Sequence, residues 1–178
     1  MDGIIKSLNK QLGPRIVVRA AHIVDYDFDA RHSALARIYR YTILSAPSPD
    51  PFRAAFSWHI SQPLDVEAMR VASAAIEGEH DFTSFCRQPP DGRHLIRRIF
   101  QAEWLLPEPG IVRFDVEAKA FCHQMVRSLV GTLVSIGLGR LQPTEMAAIL
   151  VARDRHPAGT PAPPQGLCLW AVKYPDGL

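Results

Sequence analysis

Hydrophobic residues recur at three- and four-residue spacing between Ala120 and Leu141, which predicts a helix with one buried face. The apolar stripe consists of Met125, Val126, Leu129, Val130, Leu133 and Ile136. His123 and Arg127 interrupt this stripe four residues apart, so they are expected on one side of the helix. A buried arginine needs an anion, either a carboxylate or a phosphate, because an unpaired guanidinium is costly to remove from water.

Glycine residues mark a close approach and the end of this helix. Gly131 lies in its middle, where the missing side chain lets another backbone approach. Gly137 and Gly139 are expected to end the helix in left-handed conformations. A second helix then begins at Pro143 and runs to about Arg153.

Runs of β-branched and alternating residues predict the strands. The segments 16–24 and 37–44 are the first two, and a hairpin pairs 95–106 with 111–118 across a turn rich in proline. A closing strand spans 166–175. On the second strand of the hairpin, the residues predicted to face the core are Val112, Phe114, Val116 and Ala118.

The order of helices and strands indicates the fold class. Helices are also predicted over 4–12 and 65–77, the latter ended by Gly78. From Arg37 onward the order is β-α-β-β-α-(α)-β, which is the ferredoxin-like order apart from one additional helix. The predicted class is α+β, with a mostly antiparallel sheet and helices on one face.

Composition restricts the class of protein. The 178 residues are 47% hydrophobic, which is enough for a packed core and excludes general disorder. The net charge of +2 does not by itself indicate nucleic-acid binding. Cys86, Cys122 and Cys168 have no C-x-x-C spacing, which disfavours a disulfide framework or a zinc ribbon. With no signal-peptide pattern and no apolar run of about 18 residues, a soluble, cytoplasmic protein is expected.

The segment 86–98 concentrates positive charge. It holds Arg87, Arg93, His94, Arg97 and Arg98, a density that suits phosphate contacts with a nucleic acid. A solvated loop with surface arginines is the alternative. Asp81, just before this segment, is expected to cap a turn rather than to act as a nucleophile.

Four motifs follow one another along the chain, at 28–43, 78–85, 121–133 and 166–175. They are F-x-A-R with A-R-x-Y-R-Y-x-I, then G-x-x-D-F-x-x-F, F-x-H-x-M-V-R-x-x-V-G-T-L and G-L-x-L-x-x-V-x-Y-P. In this order they resemble the motifs of the tRNA pseudouridine synthase A (TruA) family, over nearly the whole chain. The resemblance implies the C-terminal half of the pseudouridine synthase fold.

The same resemblance implies an activity and a domain organisation. Members of the family are isomerases that convert uridine into pseudouridine in the tRNA anticodon stem-loop, at tRNA positions 38–40. They bind tRNA, form homodimers, and need no cofactor and no metal, which implies the same for a cytoplasmic protein here. Residues 1–36 would be a remnant of the N-terminal domain with its linking strand, and residues 37–178 the C-terminal α+β domain.

Individual roles are also implied by the resemblance. Arg127 corresponds to the catalytic arginine that pairs with an aspartate, Tyr39 to the tyrosine that packs against the target uracil, and Leu169 to the wall of the uracil pocket. The residues alone allow another interpretation of Tyr39, as a half-buried aromatic of its strand. Contacts with tRNA are implied for Phe28, Asp29, Ala30, Arg31, His32, Phe121, Cys122, His123, Gln124 and Met125. Asp29 stands where the family usually has histidine.

One family motif does not occur in these 178 residues. The family's catalytic aspartate lies in the motif R-T-D-x-G-V-H-A, and Asp25, Asp27, Asp29 and Asp81 all lie in other contexts. The chain is therefore expected to be the C-terminal portion of a synthase and to be inactive alone. Two alternatives are a non-catalytic RNA-binding module, and a structural half that needs a partner chain to supply the aspartate.

Overall fold

The chain forms two compact units, residues 1–33 and residues 34–178. A computed structural model describes residues 1–88, 92 and 94–175. The smaller unit begins with helix α1 (Asp2–Leu12), close to the helix predicted over 4–12. Irregular chain follows this helix up to residue 33.

The strand predicted over 16–24 is wrong. A strand needs a neighbouring backbone to pair its N–H and C=O groups, and the described residues form no such ladder on this segment. At Val18, the side-chain amide of Asn9 pairs with the backbone N–H and C=O groups that a neighbouring strand would otherwise pair. It accepts from the Val18 N–H at 2.7 Å and donates to the Val18 carbonyl at 2.9 Å.

The larger unit is built on one mixed sheet. Its described strands are β1 (Ala36–Ser45), β2 (Trp58–Ile60), β3 (Gly78–Asp81), β4 (Ile96–Glu108), β5 (Ile111–Ala118) and β6 (Leu167–Lys173). The strand order is β2-β1-β5-β4-β3, and β6 also pairs with β1. Only the β1–β2 pair is parallel among these described strands, so the mostly antiparallel sheet is confirmed.

Three helices pack on one face of this sheet: α2 (Val66–Ala74), α3 (Met125–Gly137) and α4 (Glu145–Ala152). Helix α2 begins where the Asp65 carboxylate accepts the Ala68 N–H at 2.9 Å, which satisfies one of its unpaired donors. The inward side chains of β5 and the apolar stripe of α3 are all buried in one core. The α+β class and the predicted core face of β5 are confirmed. None of the described helices is long and apolar enough to cross a membrane.

Helix α3 is shorter than the sequence pattern predicts. Gln124 has a left-handed φ of 66°, which a continuous α-helix does not allow, so the helix begins at Met125. The placement of His123 on the same helix as Arg127 is therefore wrong. Gly139 is left-handed as predicted, with φ of 69°. Gly137 instead lies inside the helix, where the sulfur of Met69 occupies the space a side chain would need.

Short elements account for the other differences. The sequence pattern misses β2 and β3, because three or four residues are too few to establish an alternation. Gly78, predicted to end α2, opens β3 with φ of 96°. Arg97 and Arg98 lie on β4 rather than in a polar loop, paired in register with His80 and Glu79. Arg93 lies outside the described residues.

Candidate active site

A cavity of about 360 Å³ lies at the start of helix α3, and we call it the α3 cavity. Its lining residues are Tyr39, Phe121, Cys122, His123, Gln124, Met125, Val126, Arg127 and Leu167. Strand β1, the segment before α3, the first turn of α3 and strand β6 therefore meet here. The structure brings together the predicted uracil-binding tyrosine, the predicted catalytic arginine and the predicted tRNA-binding segment 121–125.

Tyr39 presents a half-buried ring to the cavity. It lies on the core face of β1, and the ring of Phe121 meets it edge-on, with 5.0 Å between centroids and an interplanar angle of 87°. Such an edge-to-face pair fixes the orientation of a ring and leaves other faces for further contacts. Tyr39 is therefore both a half-buried strand aromatic and a wall of the cavity, so the two interpretations are compatible.

Arg127 lies in the first turn of α3 and is partly buried. Its Nε donates to the carbonyl of Ala162 at 2.6 Å, and its own carbonyl accepts from the Ala162 N–H at 2.9 Å. Among the described residues, no carboxylate forms an ion pair with Arg127, and its Nη groups have no hydrogen-bond partner. A guanidinium has five donors, so most of the binding capacity of Arg127 is available to an anion in the cavity.

The proline-rich strap, residues 154–165, holds this arginine in place. Three further contacts fasten the strap to the core. Thr132 donates to the carbonyl of Ala158 at 2.7 Å, and the hydroxyl of Tyr41 donates to the carbonyl of Pro163 at 2.6 Å. Gly131 packs so closely against the Thr160 carbonyl that an added Cβ would overlap it, which confirms the predicted close approach.

The hydroxyl of Tyr41 is buried in this arrangement. Burial raises the pKa of Tyr41 well above its usual value, and the nearby charge of Arg127 offsets a small part of that effect. The hydroxyl therefore stays protonated at neutral pH and keeps donating to Pro163. This hydrogen bond ties the strap to strand β1, on which the Tyr39 ring of the cavity also lies.

The electrostatic character of the α3 cavity favours an anion. It faces the N-terminus of a helix of 13 residues, where unpaired N–H groups and the helix dipole attract negative charge. Arg127 adds a full positive charge at the same place. No acidic side chain is among the cavity-lining residues of the described chain. The arrangement thus supplies an aromatic wall and a cationic donor but no carboxylate.

Asp81, which lies just before the arginine-rich segment 86–98, has a structural role. Its Oδ1 accepts from the Thr83 hydroxyl at 2.6 Å and from the Thr83 N–H at 3.1 Å. Its Oδ2 pairs with Arg153 at 3.1 Å. The hydrogen bonds from Thr83 and the charge of Arg153 hold the pKa of Asp81 below its usual value. The predicted turn cap is confirmed.

The predicted tRNA-binding loop 28–32 lies in the smaller unit. Its turn is organised by Asp29, whose carboxylate accepts from the N–H groups of Arg31 at 2.8 Å and His32 at 2.7 Å. These two bonds lower the pKa of Asp29, and the His32 ring lies 3.1 Å from the same oxygen. Aspartate at this position therefore shapes the loop backbone. The contacts of Phe28, Ala30 and the rest of the loop with tRNA stay predictions.

Two leucines of strand β6, Leu167 and Leu169, lie near Tyr39, and they differ in whether they line the cavity. Leu169 is the register partner of Tyr39 between β6 and β1, but it is 49% exposed and outside the cavity lining. Leu167, two residues earlier on the same face of β6, lines the cavity. The sequence pattern gives no reason to prefer one of two alternate leucines on an edge strand. Among the described residues, no cluster of three or more potential ligands is arranged to hold a metal.

Comparisons with known proteins agree with the motifs. A family model described as tRNA pseudouridine synthase matches residues 72–175. The tRNA pseudouridine synthase A of Moorella thermoacetica is 47% identical over 168 residues, which cover 94% of this chain and 68% of that protein. The enzyme of the same name from Bacillus subtilis is 38% identical over the same shares. A solved Cbf5-Nop10-Gar1 complex is 22% identical over 61% of this chain and 27% of that one, and its TM-score of 0.32 supports no inference.

Proposed function

Because the chain belongs to the tRNA pseudouridine synthase family, whose members are isomerases, we propose that the α3 cavity receives one uridine of a tRNA for conversion into pseudouridine. The observation that carries this proposal is the meeting of Tyr39 and Arg127 in one cavity. In the reaction, the uracil leaves its ribose, turns, and reattaches through carbon instead of nitrogen. The base must leave the RNA stack to enter the cavity.

Tyr39 and Arg127 have distinct roles in this proposal. Tyr39 packs against the uracil and limits its movement while the base is detached from the ribose. Arg127 pairs with the catalytic aspartate, and the adjacent positive charge keeps that carboxylate ionised in an enclosed site. The strap supports this role, because the bond from Nε to Ala162 fixes one edge of the guanidinium and leaves the Nη groups for the carboxylate.

The aspartate itself comes from outside these 178 residues. Asp81 already accepts a hydrogen bond from Thr83 and pairs with Arg153. Asp29 accepts backbone hydrogen bonds within its own turn. No described carboxylate lines the cavity. We therefore expect the chain alone to be inactive and to complete its site with a segment that carries the R-T-D-x-G-V-H-A motif.

The remaining features follow the family. The substrate is the anticodon stem-loop, at tRNA positions 38–40, with segment 121–125 beside the flipped uridine and loop 28–32 on the surrounding RNA. Residues 1–36 belong with the N-terminal domain and residues 37–178 form the C-terminal domain. The complete enzyme is a homodimer in the cytoplasm, where tRNA is its partner. No cofactor and no metal take part in the proposed roles.

The direct test is pseudouridine formation on an anticodon-arm RNA. The chain is assayed alone, and again after co-purification with the part of the Moorella thermoacetica relative that contains the aspartate motif. We expect product only from the pair, and we expect Arg127→Ala to remove it. Arg140→Ala is the matched control, because Arg140 is an exposed arginine outside the cavity lining. Product from the chain alone would contradict the proposed origin of the aspartate.

The lack of a carboxylate in the cavity lining also favours a second candidate, an RNA-binding module without catalysis. Such a module would retain tRNA, and its affinity would fall steeply with salt because phosphate contacts release counterions. Inactivity of the pair together with salt-dependent tRNA binding would favour this candidate over the synthase.

A further inference from the structure

Two cysteine thiols meet beside the α3 cavity. Cys86 is buried in the core, whereas Cys122 is partly exposed and lines the cavity. The two thiols are hydrogen-bonded to each other. One residue further along each segment, the Arg87 N–H donates to the His123 carbonyl at 3.1 Å, so the two backbones run side by side at this point. The contact is therefore fixed by backbone as well as by the sulfur atoms.

The surroundings make the two thiols chemically different. The hydrogen bond from Cys86, together with the charge of Arg97, lowers the pKa of Cys122. The same hydrogen bond and burial raise the pKa of Cys86. The Nε of Arg97 is buried and has no hydrogen-bond partner among the described residues. Cys122 is thus the accessible nucleophile, and Cys86 keeps its proton, which is the arrangement of an attacking and a resolving cysteine.

We propose that Cys86 and Cys122 form a reversible disulfide when the protein meets a peroxide, which makes the edge of the α3 cavity an oxidation site. In the first step the Cys122 thiolate attacks one oxygen of hydrogen peroxide, the O–O bond breaks, and hydroxide leaves, giving a sulfenic acid. In the second step the Cys86 sulfur attacks the Cys122 sulfur, and water leaves with the proton of Cys86. A dithiol reductant reverses the change by thiol–disulfide exchange.

The disulfide would alter the cavity. Two bonded sulfurs lie about 2.05 Å apart, closer than two thiols in hydrogen-bond contact, so the segments that carry Cys86 and Cys122 must adjust when the bond forms. The chain neighbours of Cys122 are Phe121, which holds the Tyr39 ring edge-on, and His123, which also lines the cavity. Resting on the proposed function, this movement disturbs the wall against which the uracil packs, so the oxidised protein binds tRNA more weakly than the reduced protein.

Mass spectrometry of the whole chain tests the thiol chemistry without any RNA. After treatment with hydrogen peroxide, we expect the protein to be roughly 2 Da lighter, because a disulfide has lost two hydrogens. Trypsin should then release one linked species joining peptides 71–87 and 120–127, and dithiothreitol should separate them. Two outcomes would overturn the proposal. One is a linked species that contains peptide 156–173, which carries Cys168. The other is the absence of any linked species while Cys122 oxidises beyond the sulfenic acid.

Three serine variants assign the two roles, with circular dichroism to verify that each is folded. Cys86→Ser should stop at a sulfenic acid on Cys122 that dimedone labels. In Cys122→Ser, oxidation at Cys86 should be at least about tenfold slower than oxidation at Cys122 in the unchanged chain, because Cys86 is buried. Cys168→Ser is the matched control and should form the disulfide like the unchanged chain. Equal reactivity of Cys122→Ser and Cys168→Ser would contradict the assignment of Cys122.

The tRNA readout separates this proposal from the proposed function. Suppose the reduced protein binds tRNA and the disulfide form binds it at least about tenfold more weakly, a change of about 1.4 kcal/mol in binding free energy. This result supports both the proposed function and the oxidation site. If the reduced chain does not bind tRNA even when paired with the Moorella thermoacetica segment, although the linked peptides appear, the proposed function fails and the oxidation site stands. If tRNA binds but the linked peptides do not form, the oxidation site fails alone.

Discussion

Two partly buried arginines, Arg40 on the outer face of strand β1 and Arg127 on helix α3 at the core side of that strand, show how differently one residue type is used. On the outer face, the Arg40 guanidinium makes two hydrogen bonds of 3.0 Å to Asp115, its register partner on β5. Trp170 covers the same guanidinium at 3.7 Å, and Arg113 pairs with Asp115 at 3.1 Å. On the core side, the Arg127 guanidinium borders the cavity, and within the described residues its hydrogen bond goes to the Ala162 carbonyl alone.

Under the proposed function, this difference separates a structural charge from a catalytic one. In the outer-face cluster of Arg40, Arg113, Asp115 and Trp170, both arginines pair with the one carboxylate of Asp115. The side chains of Arg40 and Asp115 are only 18% and 20% exposed. Arg127 is held by the strap, and its Nη groups have no partner among the described residues, so they can bind an anion that comes from elsewhere. Under the proposed function, the carboxylate that already pairs with Arg40 and is lacking for Arg127 among the described residues is what distinguishes the two arginines.

The largest expected effect is on activity, from Arg127→Ala. In the pair completed by the Moorella thermoacetica segment, we expect pseudouridine formation to fall by about 10³-fold, because an electrostatic partner of the catalytic group is lost. The free energy of unfolding of the chain should change by only about 1 kcal/mol, for one hydrogen bond to Ala162. Initial rates of product formation and urea unfolding measure the two quantities.

Arg140→Ala controls for the loss of one positive charge and should leave both quantities unchanged. A large loss of stability in Arg127→Ala, with no specific loss of rate once the variant is folded, would place Arg127 with Arg40 as a structural charge. The comparison between the two faces of β1 would then fail.

The next effect is on stability, from Asp115→Asn on the outer face. This change leaves Arg40 and Arg113 partly buried without a carboxylate, and we expect a loss of about 3 kcal/mol in the free energy of unfolding. Activity of the folded pair should be retained, since the cluster lies outside the cavity lining. Urea unfolding and the same product assay give both values. The double variant Asp115→Asn with Arg40→Met should recover part of the lost unfolding free energy, because it removes one of the unpaired charges. If the single and double variants lose the same amount, the broken ion pair is not the cause.

A smaller effect is expected where the strap packs on α3. In Gly131→Ala the new Cβ overlaps the Thr160 carbonyl, so the strap must move, and we expect about 2 kcal/mol of destabilisation. Because the strap fixes Arg127, activity of the pair should also fall. Gly3→Ala, with open space around its Cβ, is the control and should be neutral or slightly stabilising. Full activity in Gly131→Ala would show that the strap does not position the arginine.

Much of the sheet and its core could be predicted, because alternation along β5 and the stripe of α3 record burial directly. The start of α3 could not, since a single left-handed residue, Gln124, interrupts a periodicity that continues on both sides of it. The periodicity therefore predicts a helix for the segment before α3 as well. It instead forms an irregular wall of the cavity, with Phe121 against Tyr39.

Partners far apart in sequence were also beyond prediction. The sequence predicts that Arg127 needs an anion, but it does not indicate that the Ala162 carbonyl accepts from its Nε or that Asp115 pairs with Arg40. The contact of Cys86 with Cys122 was likewise hidden, because wide cysteine spacing carries no information about distance in the fold. Motifs identified the candidate residues Tyr39 and Arg127, whereas the structure shows what each already contacts.

The smallest expected effect concerns Tyr41, which fastens the strap from the core face of β1. Tyr41→Phe removes the hydrogen bond to Pro163, and we expect about 1 kcal/mol of destabilisation at neutral pH. The folded-state pKa of Tyr41 is raised above its unfolded value of about 10, so its contribution is complete below that pH and is lost as pH rises further. Urea unfolding of both proteins between pH 7 and pH 11 measures this, and we expect the difference to shrink above about pH 10. Asp115→Asn is the control: the outer-face cluster contains no tyrosine, so this variant should lose stability at alkaline pH as the unchanged chain does. If Tyr41→Phe shows the same loss, the strap is not held by the Tyr41 hydroxyl.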